Sequence, residues 1–299
     1  MYQMRLISTP KPRNVLLMLR LIYGSSSLIL SELEQMVADE FSQSNLNASE
    51  TKVLGVMWDK VSDEFIFNLQ DIASSTKVPT KRELLSIIAS VYDPLGILNP
   101  FIFKLKELFQ LTCIAQIAWD QKIEGELLKN WTLILNDLQK FHEVRLPRFY
   151  GNGDNVEIHG FCDASLEGFG CCVYVRFVDQ NGDVCVSLVT SQSRISPISK
   201  PTIPKLELQA AVILSKCVHN VVEVLSSSYF IGPVHLYSDS TITLSWIHSR
   251  KPLVPYVKRR VDVIFSLTSL FQWHHIQGVH NLADILSEVF TVVEGKSLV

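Results

Sequence analysis

Four carboxylates in the C-terminal half of the chain, Asp163, Glu207, Asp239 and Asp284, stand where acids can share one task. Asp163 closes the extended apolar run VEIHGFCD and is followed by small residues and glycines, and Asp239 closes VHLYSD. Glu207 falls in the first turns of a helix that opens at Pro204, and Asp284 follows Asn281, which is placed to cap the last helix. Taken singly, each has an ordinary explanation. Strand-end acids accept turn hydrogen bonds, and acids near helix starts favour the positive end of the dipole. Converging, the four would repel one another unless a cation sat among them. Hard divalent ions such as Mg2+ or Mn2+ take oxygen ligands and need few protein groups. Two of them, about 4 Å apart, activate a water and stabilise the leaving oxygen in phosphodiester cleavage.

Convergence depends on the elements. From Val156 the chain reads as strands: VEIHGFCDAS is extended, and CCVYVRFV and VCVSLVTS flank QNGD, whose Asn-Gly pair is a strong hairpin signal. PKLELQAAVILSKCVHNVVEVL carries Leu206, Ala210, Ile213, Leu214, Cys217, Val221 and Leu225 near one face and reads as a helix packed on that sheet. VHLYSDSTITLSWIHS passes from a buried strand into a helix near Asp239, and FQWHHIQGVHNLADILSEVF gives a strand, a loop and a helix. The expected order is β-β-β-α-β-α followed by β-α. A meander followed by a strand parallel to its first member brings Asp163 and Asp239 side by side, with the helix starts facing the same edge.

Upstream the texture differs. LSELEQMVADEF reads as helical, and KVLGVMWDKVSDEFIFNL as two strands around a polar turn at Asp59 to Ser62. Thr80 and Glu83 have the spacing of a capping box ahead of an apolar run that Pro94 and Gly96 break. Residues 101–141 have apolar residues at helical spacing, with Trp119 and Trp131 among them, and LPRFYGNGDN reads as a linker. The chain has 299 residues, 47% of them hydrophobic, enough for more than one core. Its six cysteines contain no C-x-x-C pair, which points to a reducing, intracellular setting, cytoplasmic or nuclear. VLLMLRLIYG is broken by Arg20 and is shorter than the run of about 20 apolar residues that spans a bilayer, so it reads as a buried helix and not as a membrane segment.

FCDAS, KLELQAA, YSDST and HNLAD, in this order and on these elements, resemble the motifs of a retroelement RNase H domain. TKRELLSIIASVYDPLGILNPFIFKLKELFQ, with SQSRISP and TIPKLELQAA, is similar to the polyprotein of BEL/Pao retrotransposons, often labelled Pao retrotransposon peptidase. The likeness runs from about Lys52 to Ser287. It implies an α/β fold: an RNase H-like mixed five-stranded sheet flanked by helices, behind a smaller, mostly helical tail of a reverse transcriptase and its connection region. Residues 1–79 would be the reverse-transcriptase remnant, 80–150 the connection region, 151–290 the RNase H-like domain and 291–299 a tail. By the same likeness Asp163, Glu207, Asp239 and Asp284 would hold two Mg2+ or Mn2+ ions, the partner would be an RNA/DNA hybrid, and other polyprotein segments would accompany the chain. Leu282 stands where that family commonly has proline, and Glu288 where arginine is more usual.

Other activities fit less well. The chain has no Asp-Asp pair for a polymerase site and no D-[ST]-G for an aspartic peptidase. His274, His275 and His280 invite a zinc reading, but no cysteine follows Cys217, and they read as surface or loop histidines. His280 is a minor candidate for assisting product release, and Lys258, Arg259 and Arg260 for touching phosphates. The formal net charge of -3 lacks the basic footprint of a nucleic-acid binder. From Val156 to Phe290, however, ten Lys and Arg face eleven Asp and Glu, and two bound Mg2+ would bring the domain to about +3. The rival to an endonuclease is an inert remnant that at most binds nucleic acid.

Overall fold

The structure, a computed structural model, describes residues 50–53, 56–74, 77–140, 143–147, 155–179 and 182–286. The expected helix around LSELEQMVADEF, the stretch VLLMLRLIYG, residues 148–154 of the expected linker and the last helix beyond Leu286 lie outside those residues. Of the described residues, 50–67 and 143–147 form one compact unit, and 68–140 with 155–286 form another.

The first unit is a sheet of β1 (Glu50–Val53), β2 (Val56–Asp59), β3 (Glu64–Asn68) and β4 (Glu143–Pro147), in that order. The expected hairpin is β2 and β3, antiparallel, with Trp58 opposite Phe65. Its turn is held by Asp59 Oδ1, which accepts the Val61 N–H at 2.8 Å, and by Trp58 Nε1, which donates to Asp63 Oδ1 at 3.0 Å. Strand β4 takes up Leu146 and Pro147, which the Gly- and Asn-rich stretch after them had drawn into the expected linker. Exposed and half-buried residues alternate along β4 with the period of a strand, and Arg145 pairs with Glu143 at 2.7 Å and Asp59 at 3.1 Å.

In the second unit, α1 (Gln70–Ala73), α2 (Lys81–Ser90), α3 (Asn99–Ile114) and α4 (Gly125–Lys140) precede the sheet. The capping box forms at the start of α2: Thr80 Oγ1 accepts the Glu83 N–H at 3.2 Å, and Glu83 Oε2 accepts the Thr80 N–H at 2.7 Å. Residues 101–141 hold most of α3 and α4; Trp131 is buried with Leu84, Leu105 and Leu108, whereas Trp119 lies exposed between the helices. The sheet comprises β5 (Asn155–Ala164), β6 (Gly168–Val178), β7 (Val184–Ile195), β8 (Phe230–Ser238) and β9 (Trp273–His275), in the order β7-β6-β5-β8-β9. Strands β5, β6 and β7 form the antiparallel meander, and β8 runs parallel to β5.

Helix α5 (Ile203–Leu225) lies on one face of this sheet and is followed by α6 (Thr241–Ile247) and α7 (Pro255–Leu267). By length and composition α5 is apolar enough to cross a membrane, but Leu206, Ala210, Ile213, Leu214, Cys217 and Val221 are buried, and a core helix needs that composition too. It approaches β5 closely at Gly160, where a Cβ would come within 2.6 Å of Leu214 Cδ1. The expected order passes straight from the helix after Asp239 to the last strand; α7 is an addition to it, with Val257, Val261 and Ile264 buried at helical spacing.

The edge strand β7 is covered by the turn between α2 and α3. Leu95 O accepts the Ser191 N–H at 2.8 Å and Thr190 Oγ1 at 2.9 Å, while Asn99 Nδ2 donates to Ser191 Oγ at 3.0 Å. Asp93 shapes the turn by accepting the N–H groups of Ile97 at 2.8 Å and Leu98 at 2.6 Å. Gly96, at φ 76°, passes so near the strand that a Cβ would lie 1.9 Å from Ser191 O. The outward N–H of Ser191 on this edge strand is thereby satisfied within the unit.

Candidate active site

Parallel pairing puts Phe161 opposite Tyr237 and Cys162 opposite Ser238, so the next residues, Asp163 and Asp239, leave neighbouring strand ends. Asp163 is buried. Asn281 Nδ2 donates to Cys162 O at 3.1 Å and to Asp163 Oδ1 at 3.4 Å, and Asn281 Oδ1 accepts the Ala283 N–H at 3.2 Å. The residue expected to cap the last helix therefore fixes the turn that carries Asp284 and ties it to the strand of Asp163. Opposite Asp163 on β6 stands Gly170, where a Cβ would come within 2.9 Å of Leu286 Cβ, so the turn after β9 lies close over β6.

Glu207, half-buried in the first turns of α5, accepts a hydrogen bond from Ser240 Oγ. Ser240 Oγ also accepts the Thr243 N–H at 3.1 Å and so caps α6. Burial pushes the Glu207 carboxyl above its ordinary range; the Ser240 bond pulls it back, and the negative charge of Asp239 pushes it further up. Glu207 thus feels the charge of Asp239. The fully buried thiol of Cys162 responds to both strand-end acids: burial raises it well above its usual value, and the charges of Asp163 and Asp239 add to the rise. From the far side, the loop after β9 closes on Asp239, where a Cβ at Gly278 would sit 3.2 Å from Oδ2.

Asp163, Asp239 and Glu207 are therefore gathered at the ends of β5 and β8. Asp284 is exposed; it opens the 3₁₀ turn Asp284–Leu286, and its N–H bonds Asn281 O at 3.2 Å. Its link to the others runs through Asn281. Among the described residues, no three His, Cys, Asp or Glu side chains already surround a common point as ligands. In donor chemistry the residues fit a hard divalent cation: all offer carboxylate oxygen, and such a cation offsets the charge of Asp239 that adds to the effect of burial on Glu207.

Ser240 and the reach of Asn281 to Asp163 were not visible in the sequence. YSDST and HNLAD contain both residues, but nothing local says that Asn281 bonds a strand 118 positions earlier. His280 ends the 3₁₀ turn Gly278–His280 beside the site, while Lys258 is paired with Asp262 at 2.7 Å and Arg260 lies over the Tyr256 ring at 3.5 Å.

A family model described as Pao retrotransposon-like RNaseH-like domain matches residues 80–240, a stretch that includes Asp163, Glu207 and Asp239 and stops before Asp284. No curated protein matches the chain. Among solved structures, the N-terminal RNase H domain of a Mycobacterium tuberculosis protein, fused to maltose-binding protein, is 14% identical, with 45% of this chain and 91% of that one covered and a TM-score of 0.31. RNase H1 from Halobacterium salinarum is 17% identical, with 44% and 93% covered and a TM-score of 0.27. The foamy viral protease-reverse transcriptase in complex with an RNA/DNA hybrid is 15% identical, with 91% and 36% covered and a TM-score of 0.44.

Proposed function

The chain belongs to the Pao retrotransposon-like RNase H-like domain family, and from that membership we propose that it is a metal-dependent endonuclease cutting the RNA strand of an RNA/DNA hybrid. The observation that carries this reading is the pairing of Asp163 and Asp239 at neighbouring ends of parallel strands, with Glu207 feeling the charge of Asp239. In this reading Asp163, Glu207, Asp239 and Asp284 hold two Mg2+ or Mn2+ ions. When bound, such ions activate water and stabilise the leaving oxygen of a phosphodiester. The chain's own part is positional: Asn281 orients Asp163 and the turn of Asp284, and Ser240 orients Glu207. RNA would be told from DNA by its 2'-hydroxyls in the shallow minor groove.

We assign residues 1–79 to a reverse-transcriptase remnant, 80–150 to a connection region and 151–290 to the RNase H-like domain. The partners would be the hybrid and other segments of a retroelement polyprotein, in a reducing compartment inside the cell. A second reading, an inert remnant, is favoured by the last motif, where Leu282 and Glu288 depart from the residues common in the resembled family.

Cleavage of a labelled RNA/DNA duplex, beside an all-DNA duplex, separates the two. Wild type is expected to cut the hybrid in Mg2+, and Asp163→Asn or Asp239→Asn to lower the rate about a hundredfold or more, since each ligand positions charge worth several kcal/mol in the transition state. Asp163 is expected to matter most and Asp284 least. Equal cleavage by wild type and Asp163→Asn would remove the assignment. No cleavage by any of them, with Mg2+ still raising the melting temperature, would leave the inert reading.

A further inference from the structure

The face of the sheet that leads to Asp163 and Asp239 carries a second group of ligating side chains with different chemistry. His159 on β5 stands opposite His235 on β8, and His274 on β9 stands opposite Tyr237, so three imidazoles occupy three adjacent strands on one face. His235 Nδ1 and His274 Nε2 share a hydrogen bond at 3.2 Å, whose proton a metal ion would replace. Two imidazole nitrogens bound to one tetrahedral Zn2+ at ordinary bond lengths lie about 3.3 to 3.4 Å apart, nearly the same spacing. The His159 ring stacks on His235 with centroids 5.3 Å apart and planes 27° apart. Its Nε2 is buried without a hydrogen-bond partner, 3.6 Å from Glu157 Oε2, the kind of orphaned nitrogen that a ligand satisfies.

We propose that His159, His235 and His274 form a binding site for a borderline transition-metal ion of the Zn2+ class, separate from the oxygen-only carboxylate site. Imidazole suits such ions, whereas Mg2+ prefers carboxylate oxygen, so the two sites sort their metals by donor. The three imidazoles do not yet surround one point, so His159 must turn about its side-chain bonds to join the pair. Binding also requires lone pairs on both facing nitrogens, with the proton of each ring on its far nitrogen. Burial holds His274 below the usual imidazole range, a direction that favours its neutral, ligating form.

The test is a calorimetric titration of Zn2+ into the full chain in excess Mg2+, which masks the carboxylates. One Zn2+ per chain is expected. His235→Gln, His274→Gln and His159→Gln should each weaken binding about tenfold or more, since even outer-shell changes cost 10–100-fold. His219→Gln, on the exposed side of α5, should leave it unchanged. Absence of binding, or wild-type affinity in both His235→Gln and His274→Gln, overturns the site. Should a variant fail to fold, X-ray absorption at the zinc edge of the wild-type complex decides: an imidazole shell is expected, and a shell of oxygen alone would place the ion on the acids instead.

Discussion

Asn281 is a positioning residue for the candidate site, and its role can be separated from that of the acids it serves. It is buried, and its amide joins Cys162 O, Asp163 Oδ1 and the Ala283 N–H. Asn281→Ala removes the buried amide's bonds to Cys162 O, Asp163 Oδ1 and the Ala283 N–H, and is expected to destabilise the fold by about 1–3 kcal/mol, measured by urea denaturation. Hybrid cleavage should fall with it, because Asp163 loses its orienting partner. Asp163→Asn should behave oppositely on stability: the charge next to Cys162 and Asp239 disappears, so the melting temperature in chelator should hold or rise while cleavage is lost. If Asn281→Ala proved as stable as wild type, its part in the turn of Asp284 would need revision.

At the scale of elements, the turn from Asp93 to Asn99 is the most sharply constrained. Gly96→Ala must accommodate a Cβ 1.9 Å from Ser191 O at a φ of 76°, and backbone cannot move aside as a flexible side chain would. A loss of about 2 kcal/mol or more is expected, against about 1 for Gly182→Ala, which has a similar φ but open space around it. Denaturant midpoints of the two variants check this. Asp93 adds a pH signature. Burial raises its carboxyl above the ordinary range, although the N–H groups of Leu98, Ile97 and Gly96 oppose the rise. A carboxyl raised by folding holds its proton more tightly in the folded chain, so its contribution is complete below the ordinary carboxylate value. It is lost as pH rises through the folded value. Asp93→Asn is expected to flatten that part of the stability curve, measured from about pH 3.5 to 7.

For the whole molecule, the helices of residues 81–140 and the sheet of residues 155–275 belong to one compact unit, and the family match from 80 to 240 spans both. A fragment starting at residue 151 would expose the Ser191 N–H and the hydroxyls of Thr190 and Ser191 that Leu95 and Asn99 now engage. Exposed edge strands pair with other chains. Residues 151–299 alone are therefore expected to melt lower and aggregate more readily than residues 68–299, compared by thermal denaturation and light scattering. Equal stability of the two fragments would show that the turn from Asp93 to Asn99 contributes little.

Short-range physics let the sequence alone determine the elements that carry the acids. An extended apolar run marked β5, the Asn-Gly pair between two β-rich runs marked β6 and β7, the apolar stripe marked α5, and the spacing of Thr80 and Glu83 marked the start of α2, because each signal lies within a few residues. The same patterns placed Asp163 and Asp239 at strand ends. The sequence did not set α7 in the order of elements, because its buried residues, Val257, Val261 and Ile264, are scattered among charges that read as a solvated helix face; nor did it show the strand character of Leu146 and Pro147. Tertiary structure decided the rest. The hold of Asn281 on Asp163, of Ser240 on Glu207 and of Leu95 on Ser191, and the meeting of His235 with His274, join residues from 33 to 118 positions apart. No local propensity encodes such pairs: they exist only once strand pairing, above all of β5 with β8, and the packing of the turn before α3 on β7 have set which residues lie together.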